Sequence, residues 1–276
     1  SSSGGAVVAG VLAVLDRFAL GRAAYDDAIV AHVIAQAFAH FFADRARLFG
    51  DADFVDVPFD TLLSSDRTDA VVAAFNPAAT LTVDDYGAPF DPPEDAGTSH
   101  FSIVDADGNA VACTVTINTV FGSHVVSRQG GVVLNNEMDD FSASPGVANA
   151  FGLVGSEANA IAPGKRPLSS MSPTIVVDGA GVVGVLGGSG GPMIITETIL
   201  GVVQMVDFAR TAAEATASPR FHHQWRPFTL FVEDTATAWT DTDTFGYEVT
   251  RRPFMSALQI VWRHADGWQA ASDPRK

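Results

Sequence analysis

Thr98 has the residue type and the setting of a catalytic nucleophile. It begins a predicted strand directly behind Gly97 and is followed by Ser-His-Phe-Ser. A threonine hydroxyl is a weak nucleophile by itself, but cleavage of the preceding peptide bond would free an α-amino group with a pKa of about 8, able to act as general base. The segment therefore indicates a self-cleaving hydrolase, although taken alone it is more typical of an ordinary strand start.

A glycine-rich segment at residues 187–191 is the second chemical candidate. Backbone amides without side chains in the way could bind an oxyanion or a phosphate, and Pro192 is typical of the first turn of a following helix. A phosphate loop is excluded, because no Gly-Lys-Ser/Thr follows and the chain is acidic. We therefore predict a glycine loop that either binds an oxyanion or makes a simple tight turn.

Two polar runs could bind the charged ends of a small substrate. Residues 135–140 offer carboxylates for an ammonium group, and residues 166–173 offer paired hydroxyls and amides for a carboxylate. Solvated loops are the alternative interpretation of each run. Clustered acids could also bind a metal, but the histidines are scattered and the pair His222 and His223 has no ligand partner at a recognised spacing. The sequence therefore predicts no metal, and no other cofactor is expected.

Helices are predicted to precede these chemical groups. The pattern predicts a buried helix at residues 7–18, a second helix with apolar residues at helical spacing from Asp26 to before Gly50, and a third at residues 61–75. Residues 76–97 hold 4 prolines and several carboxylates, which is typical of an exposed, extended linker.

Strands are predicted to carry the chemical groups themselves. Beyond Gly97 the apolar period changes to two, which predicts a hairpin of residues 100–104 and 110–117 joined by a turn. The other predicted elements are a helix at 192–208 and strands at 131–134, 172–177, 182–186, 228–232, 257–262 and 269–271. Helices, strands and a further helix in this order predict an α+β fold.

Composition excludes several classes of partner. The chain has 16 basic and 32 acidic residues and a net charge of −16, so it would repel phosphate backbones and we expect no nucleic acid partner. No apolar run reaches the roughly 18 residues that a membrane span needs. The start at Ser1 shows no signal peptide and is interpreted as an interior cut or a processed end. One cysteine, Cys113, excludes an intramolecular disulfide framework.

Long motifs link the candidates in order along the chain. They are T-S-H-F-S-I-V-D-A-D-G-N-A-V at 98–111, T-x-N at 116–118, L-N-N-E-M-D-D-F-S at 134–142, P-G-K-R-P-L-S-S-M-S-P-T at 163–174 and G-G at 190–191, with shorter matches at 2–5, 43–45, 217–225 and 271–275. In this order and spacing the chain resembles the γ-glutamyltransferase (γ-glutamyl transpeptidase) family of N-terminal-nucleophile hydrolases.

The resemblance implies a role for each motif residue. Thr98 would cleave itself from Gly97 and then act as the nucleophile that takes the γ-glutamyl group as an ester. Thr116 would orient the Thr98 hydroxyl from the neighbouring strand. The remaining implied roles are α-ammonium binding by Asn118, Glu137 and Asp140, α-carboxylate binding by Ser169 and Ser170, and oxyanion stabilisation by the amides of Gly190 and Gly191.

The resemblance also implies an architecture, which is a four-layer αββα sandwich. Residues 1–97 would be the C-terminal, helical part of the large subunit with its linker, and residues 98–276 the small subunit, together forming one domain. Members of the family are about twice as long, so the N-terminal part of the large subunit would be absent, including an arginine that pairs with the substrate α-carboxylate. A periplasmic or extracellular location is implied by resemblance only.

The implied reaction is transfer of a γ-glutamyl group from glutathione or a related donor to water, an amino acid or a peptide. Residues 143–153 resemble the lid over the glutamate pocket, with Phe151 as its aromatic residue. The chain departs from the common family pattern at His124 and at Gly188 and Ser189, which bears on acceptor preference and substrate fit.

Two alternatives to this function remain open from the sequence. A cephalosporin or glutaryl-amide acylase is favoured if Asn118, Glu137 and Asp140 face away from Thr98. An inactive truncated binding or structural module is favoured if the chain stays one polypeptide instead of cleaving before Thr98.

Overall fold

The computed structural model describes residues 2–82, 97–149, 151–236, 239, 241–253 and 256–275. The helices are α1 Gly4–Leu15, α2 Ala28–Leu48, α3 Phe59–Leu62, α4 Ser65–Ala74, α5 Met193–Val206 and α6 Ala212–Ala217. The strands are β1 Thr98–Val104, β2 Ala110–Thr116, β3 Thr174–Asp178, β4 Gly181–Ser189, β5 Phe221–His222, β6 Thr229–Glu233, β7 Glu248–Arg252, β8 Ala257–His264 and β9 Gly267–Ser272.

Two sheets stack on each other, and one of them carries the candidate nucleophile. The hairpin β1-β2 is antiparallel, and it packs against a four-stranded antiparallel sheet of order β3-β4-β8-β9. Helices α5 and α6 cover the other face of the four-stranded sheet through Leu186, Leu258 and Ile260. A smaller sheet of order β5-β6-β7 lies apart from both. The layers described are therefore helix, sheet and hairpin.

The main core lies between the helices and the smaller sheet. Helix α2 is buried along most of its length, and Ile34, Phe38 and Phe42 are each at most 2% exposed. They pack with residues of α1, α5, β5 and β6 in one cluster. A helix that is apolar on most sides must be enclosed, so α2 is a central support of the molecule.

The α+β prediction is confirmed, and most predicted elements are found with shifted ends. The helix predicted at residues 61–75 is interrupted, because the Ser64 hydroxyl accepts a hydrogen bond from the Arg67 amide at 3.1 Å and caps a new helix. The outer face of the β1-β2 hairpin, where a fourth layer is expected, exposes Phe101, Ile103 and Val115.

Two element predictions are wrong. Residues 131–134 do not form a strand, since the Gly131 amide donates to the Ser127 carbonyl in a turn and only an isolated bridge joins Val126 to Val133. The predicted glycine loop at 187–191 is mostly strand, because β4 continues to Ser189 and only Gly190 and Gly191 follow it.

The predicted linker lies largely outside the described residues, which omit 83–96. Among the helices that the structure describes, none combines the length and apolarity needed to cross a membrane. Nor do the described histidine, cysteine and acidic residues form a group suited to holding a metal ion.

Candidate active site

Thr98 lies at the start of β1, 4% exposed, directly opposite Thr116 of β2. Their Oγ1 atoms are 3.0 Å apart. The amide of Asn118 donates to the Thr116 hydroxyl oxygen at 2.8 Å. The Thr116 oxygen accepts that bond, and its proton lies within reach of two acceptors, the Thr98 Oγ1 atom and the Gly97 carbonyl oxygen at 3.5 Å. The hairpin register thus places a hydrogen-bond donor beside the candidate nucleophile.

The backbone around Gly97 is tightly packed. A Cβ atom at this position would lie 2.2 Å from the Asn118 carbonyl oxygen and 2.4 Å from that of Thr119. Asn118 has a φ of 77°, a left-handed conformation that asparagine tolerates better than most residues, and it turns the chain back across Gly97. Only glycine fits before Thr98 without displacing this turn.

Thr98 lines a small cavity of about 20 Å³. Its lining residues are Thr98, Thr116, Asn118, Asp140, Phe151, Ser169, Ser170, Met171, Gly191, Pro192 and Ile194. Seven of these were predicted from the sequence as site residues, and they come from the hairpin, three loops and the end of β4. The described lining does not include Glu137 or Gly190, which lie three and one positions from lining residues.

Asp140 reaches the cavity from a short 3-10 turn, Glu137–Asp140. The Asn159 side chain donates to the Asp140 carbonyl at 2.8 Å, and the Ser142 amide donates to the Asn159 carbonyl at 2.9 Å. The Asn118 side chain donates to the Asn136 carbonyl at 3.1 Å, just before this turn. Asn118 and Asp140 line the same cavity as Thr98, and Glu137 is not among the lining residues. The acylase alternative required Asn118, Glu137 and Asp140 to face away, so two of its three residues do not fit it.

Gly190 and Gly191 join β4 to α5. Their φ values are 146° and 56°, and their carbonyls accept the first amides of the helix, from Met193 and Ile194, at 3.1 Å. The N-terminus of α5 therefore lies beside the cavity, where its partial positive charge favours an anion. An oxyanion formed at Thr98 would develop near this end of the helix.

His100 shares a face with Thr98 but lies deeper, between the two sheets. Its Nδ1 lies 2.8 Å from the Thr114 hydroxyl and its Nε2 lies 3.0 Å from the Ser102 hydroxyl. Burial lowers the pKa of His100 to about 4. A neutral ring with both nitrogens engaged is unsuited to take a proton from Thr98.

Phe151 is 4% exposed and closes one side of the cavity while packing into the main core. It belongs to the predicted lid at residues 143–153, of which Ala150 lies outside the described residues.

Arg45 was missed as a site residue by sequence analysis, which noted it only within a matching motif. The side chain is buried at the end of α2 and donates from Nη2 to the Ser170 hydroxyl at 3.2 Å. The sequence did indicate that Arg45 is buried. It follows Phe38, Phe41 and Phe42 at helical spacing and therefore lies on the apolar face of α2.

Comparison with known proteins covers the whole chain. A family model described as Gamma-glutamyltranspeptidase matches residues 1–276. The chain is 41% identical over 278 residues to the glutathione hydrolase proenzyme of Escherichia coli (strain K12), a match that covers 99% of this chain and 48% of that protein. The chain thus spans about half the length of the curated relatives it matches.

Solved structures agree with the architecture. A Helicobacter pylori gamma-glutamyltranspeptidase variant superposes with a TM-score of 0.61 at 41% identity, covering 64% of this chain and 100% of that chain. A cephalosporin acylase from Bacillus halodurans superposes with a TM-score of 0.83 at 22% identity, covering 100% of this chain and 48% of that chain. At that identity the acylase shows a shared fold alone.

Proposed function

Because this chain belongs to the gamma-glutamyltranspeptidase family, we propose that it is the nucleophile-bearing part of an enzyme that hydrolyses glutathione and transfers its γ-glutamyl group. The observation that carries the proposal is the 3.0 Å contact between the Thr98 and Thr116 hydroxyls at the wall of a cavity that also contains Asp140, Ser169 and Ser170. A nucleophile, a carboxylate and paired hydroxyls meet there, as a zwitterionic glutamyl group requires.

The first step of the proposed function is self-cleavage before Thr98. The Thr98 oxygen attacks the Gly97 carbonyl carbon, the C–N bond breaks, and the Gly97 acyl group becomes an ester on Thr98. Water then hydrolyses that ester, which restores the hydroxyl and leaves a free α-amino group on Thr98. The Thr116 hydroxyl, 3.5 Å from the Gly97 carbonyl oxygen, lies close enough to assist this step.

Turnover uses the same oxygen. Thr98 attacks the γ-amide carbonyl of the donor while its α-amino group takes the hydroxyl proton and passes it to the leaving amine. The resulting γ-glutamyl ester is then attacked by water or by an acceptor amino acid or peptide. Glutamate or a new γ-glutamyl amide leaves, and the hydroxyl is regenerated.

We assign the other residues by the charges that they can meet. The α-ammonium would bind Asn118, Asp140 and Glu137, and the α-carboxylate would accept hydrogen bonds from Ser169 and Ser170. The amides of Gly190 and Gly191 would hold the oxyanion, and such donors contribute about 2.7–4 kcal/mol each in comparable sites.

We also propose how the chain divides into two subunits and where the enzyme is located. Residues 1–97 would belong to the large subunit and residues 98–276 to the small subunit, with further large-subunit sequence completing the donor site. No cofactor takes part. The family resemblance supports a periplasmic or extracellular enzyme.

The test is Thr98→Ala in the full-length protein, with Ser99→Ala as control because Ser99 is the neighbouring exposed hydroxyl. We expect intact mass to show two pieces, ending at Gly97 and beginning at Thr98, in the wild type and the control. The Thr98→Ala protein should remain one polypeptide and should not release glutamate from glutathione.

Three other outcomes would contradict the proposal. Cleavage of the Thr98→Ala protein would remove Thr98 from the chemistry. An uncleaved, inactive wild type would favour a binding or structural module. A cleaved wild type that prefers a glutaryl anilide to a γ-glutamyl anilide would favour an acylase.

A further inference from the structure

Arg45 is a buried cation beside the candidate carboxylate-binding hydroxyls. Its side chain is 5% exposed, and its two described hydrogen bonds go to hydroxyl oxygens, from Nε to Ser3 at 2.8 Å and from Nη2 to Ser170 at 3.2 Å. None of the ion pairs formed by the described residues includes Arg45. Within the part of the chain that the structure describes, the guanidinium therefore has hydrogen-bond partners but no counter-ion in contact.

The hydrogen bonds from Arg45 fix the direction of two hydroxyl protons, because a guanidinium can only donate. Ser3 accepts from Arg45 and donates its own proton to the Ser169 carbonyl at 2.9 Å. Ser170 likewise accepts from Arg45, so its proton must point to another acceptor. No described residue accepts that proton, and Ser170 lines the cavity that contains Thr98.

The Ser169 hydroxyl is oriented in the same way, but by a different donor. The Met171 amide donates to the Ser169 hydroxyl oxygen at 3.1 Å, which again leaves the serine proton free to donate. Both hydroxyls at this wall of the cavity are thus prepared as donors, as a bound anion requires.

The positive charge of Arg45 also favours an anion at this wall of the cavity. Burial lowers the pKa of Arg45 to about 10, and the charge of Asp140 opposes the decrease, so the guanidinium remains protonated at neutral pH. A buried cation without a contacting carboxylate favours an anion nearby.

We propose that Arg45 is a positioning residue for the α-carboxylate of the donor, acting through Ser170. It orients the Ser170 hydroxyl as a donor and supplies the positive charge behind it. The inference rests on the proposed function. It gives the carboxylate an indirect source of positive charge within this chain, in addition to the arginine that the family resemblance implies in the N-terminal part of the large subunit.

The experiment compares Arg45→Met with the wild type in the full-length protein. Competitive inhibition of γ-glutamyl anilide hydrolysis is measured with L-glutamate and with 4-aminobutanoate, which is glutamate without its α-carboxylate. We expect the inhibition constant of glutamate to rise about tenfold, while that of 4-aminobutanoate stays within about twofold. In a Ser170→Ala background the same Arg45 change should add little further loss.

Arg47→Met is the matched control, since it removes the same charge two positions later from an exposed side chain. Where Arg45→Met does not mature, Arg45→Lys replaces it and should show a smaller loss of the same selectivity, because an ammonium keeps the charge without the planar fork. Equal losses for both inhibitors, or full additivity with Ser170→Ala, would overturn the inference. A wild type that does not hydrolyse the anilide would instead refute the proposed function.

Discussion

Thr98 and His100 show how one strand separates a reactive residue from a structural one. Alternation places both side chains on the inner face of β1. Thr98 sits at the strand end, where the cavity begins, whereas His100 lies between the sheets with both ring nitrogens engaged. The difference depends on position along the strand rather than on residue type.

At this scale we predict that Thr116→Val lowers kcat for a γ-glutamyl anilide by about ten- to a hundredfold, because it removes the hydrogen bond to a developing charge on Thr98. Thr116→Ser should keep most of the activity. The measurement is steady-state kinetics together with intact mass, so that loss of self-cleavage is separated from loss of turnover.

Thr114→Val is the control, since Thr114 lies two positions away in β2 and contacts His100 instead of Thr98. Equal effects at positions 114 and 116 would show that the hairpin, rather than the Thr116 hydroxyl, carries the effect.

The residue scale was the easiest to predict from the sequence. Residue type pointed to Thr98, two polar runs and the paired glycines, and the resemblance to the γ-glutamyltransferase family then named seven of the cavity residues in advance. Arg45 could not be assigned a role, because the direction of a hydroxyl proton depends on contacts between residues 42 and 125 positions apart.

At the scale of elements, a run of glycines can indicate either a loop or a strand that its neighbours approach closely, and the sequence did not distinguish the two. Gly187 and Gly188 were predicted to lie in a loop, but they are inside β4. A Cβ atom at Gly187 would lie 2.5 Å from the His100 ring, and one at Gly188 would lie 2.1 Å from a Glu197 carboxyl oxygen. These glycines allow the hairpin and α5 to approach the strand closely from opposite faces.

We therefore predict that Gly187→Ala lowers the free energy of unfolding by about 1–3 kcal/mol, because the methyl group overpacks the contact between β4 and the hairpin. Since β1 carries Thr98, donor KM should rise as well. Chemical denaturation and anilide kinetics measure the two effects.

Gly179→Ala is the control, because a Cβ atom there meets nothing within 4 Å. If both variants were equally stable, the close approach at Gly187 would have no energetic weight.

Two other elements were missed by the prediction, for different reasons. Helix α6 begins with a capping box between Thr211 and Glu214, a pattern visible in the sequence that the prediction overlooked. Strand β7, Glu-Val-Thr-Arg-Arg, was missed because its charged residues suit an edge position and it pairs in parallel with β6 only after a long connection. Tertiary pairing decides such a strand.

At the scale of the whole molecule, a buried charge network ties the C-terminal residues to the helices. Arg220 pairs with Asp273 at 2.5 Å, and Arg275 pairs with Glu233 at 2.6 Å and with Asp273 at 3.0 Å. Arg275 also donates to the Thr216 and Ser218 carbonyls at the end of α6. Two guanidinium groups thus balance two carboxylates.

Glu197 of α5 is a third buried carboxyl near this network, and it is 1% exposed. Its pKa is raised to about 8, first by burial, with Arg220 opposing the increase and Asp273 adding to it. Since the two guanidinium groups are already paired, charge balance also favours a protonated Glu197 at neutral pH. No ion pair among the described residues includes it.

This proton makes stability depend on pH in a defined direction. The folded pKa of Glu197 lies above the ordinary value of 4.5, so its contribution is fully present below about pH 4.5 and is lost as pH rises toward 8. Glu197→Gln has no proton to lose, so we expect its unfolding temperature to exceed that of the wild type by a margin that grows across this range and levels above it. Thermal unfolding of both proteins at matched pH values measures the margin. Glu248→Gln, at an exposed glutamate, should give no such growth, and a pH-independent margin for Glu197→Gln would show that the buried carboxyl does not hold its proton.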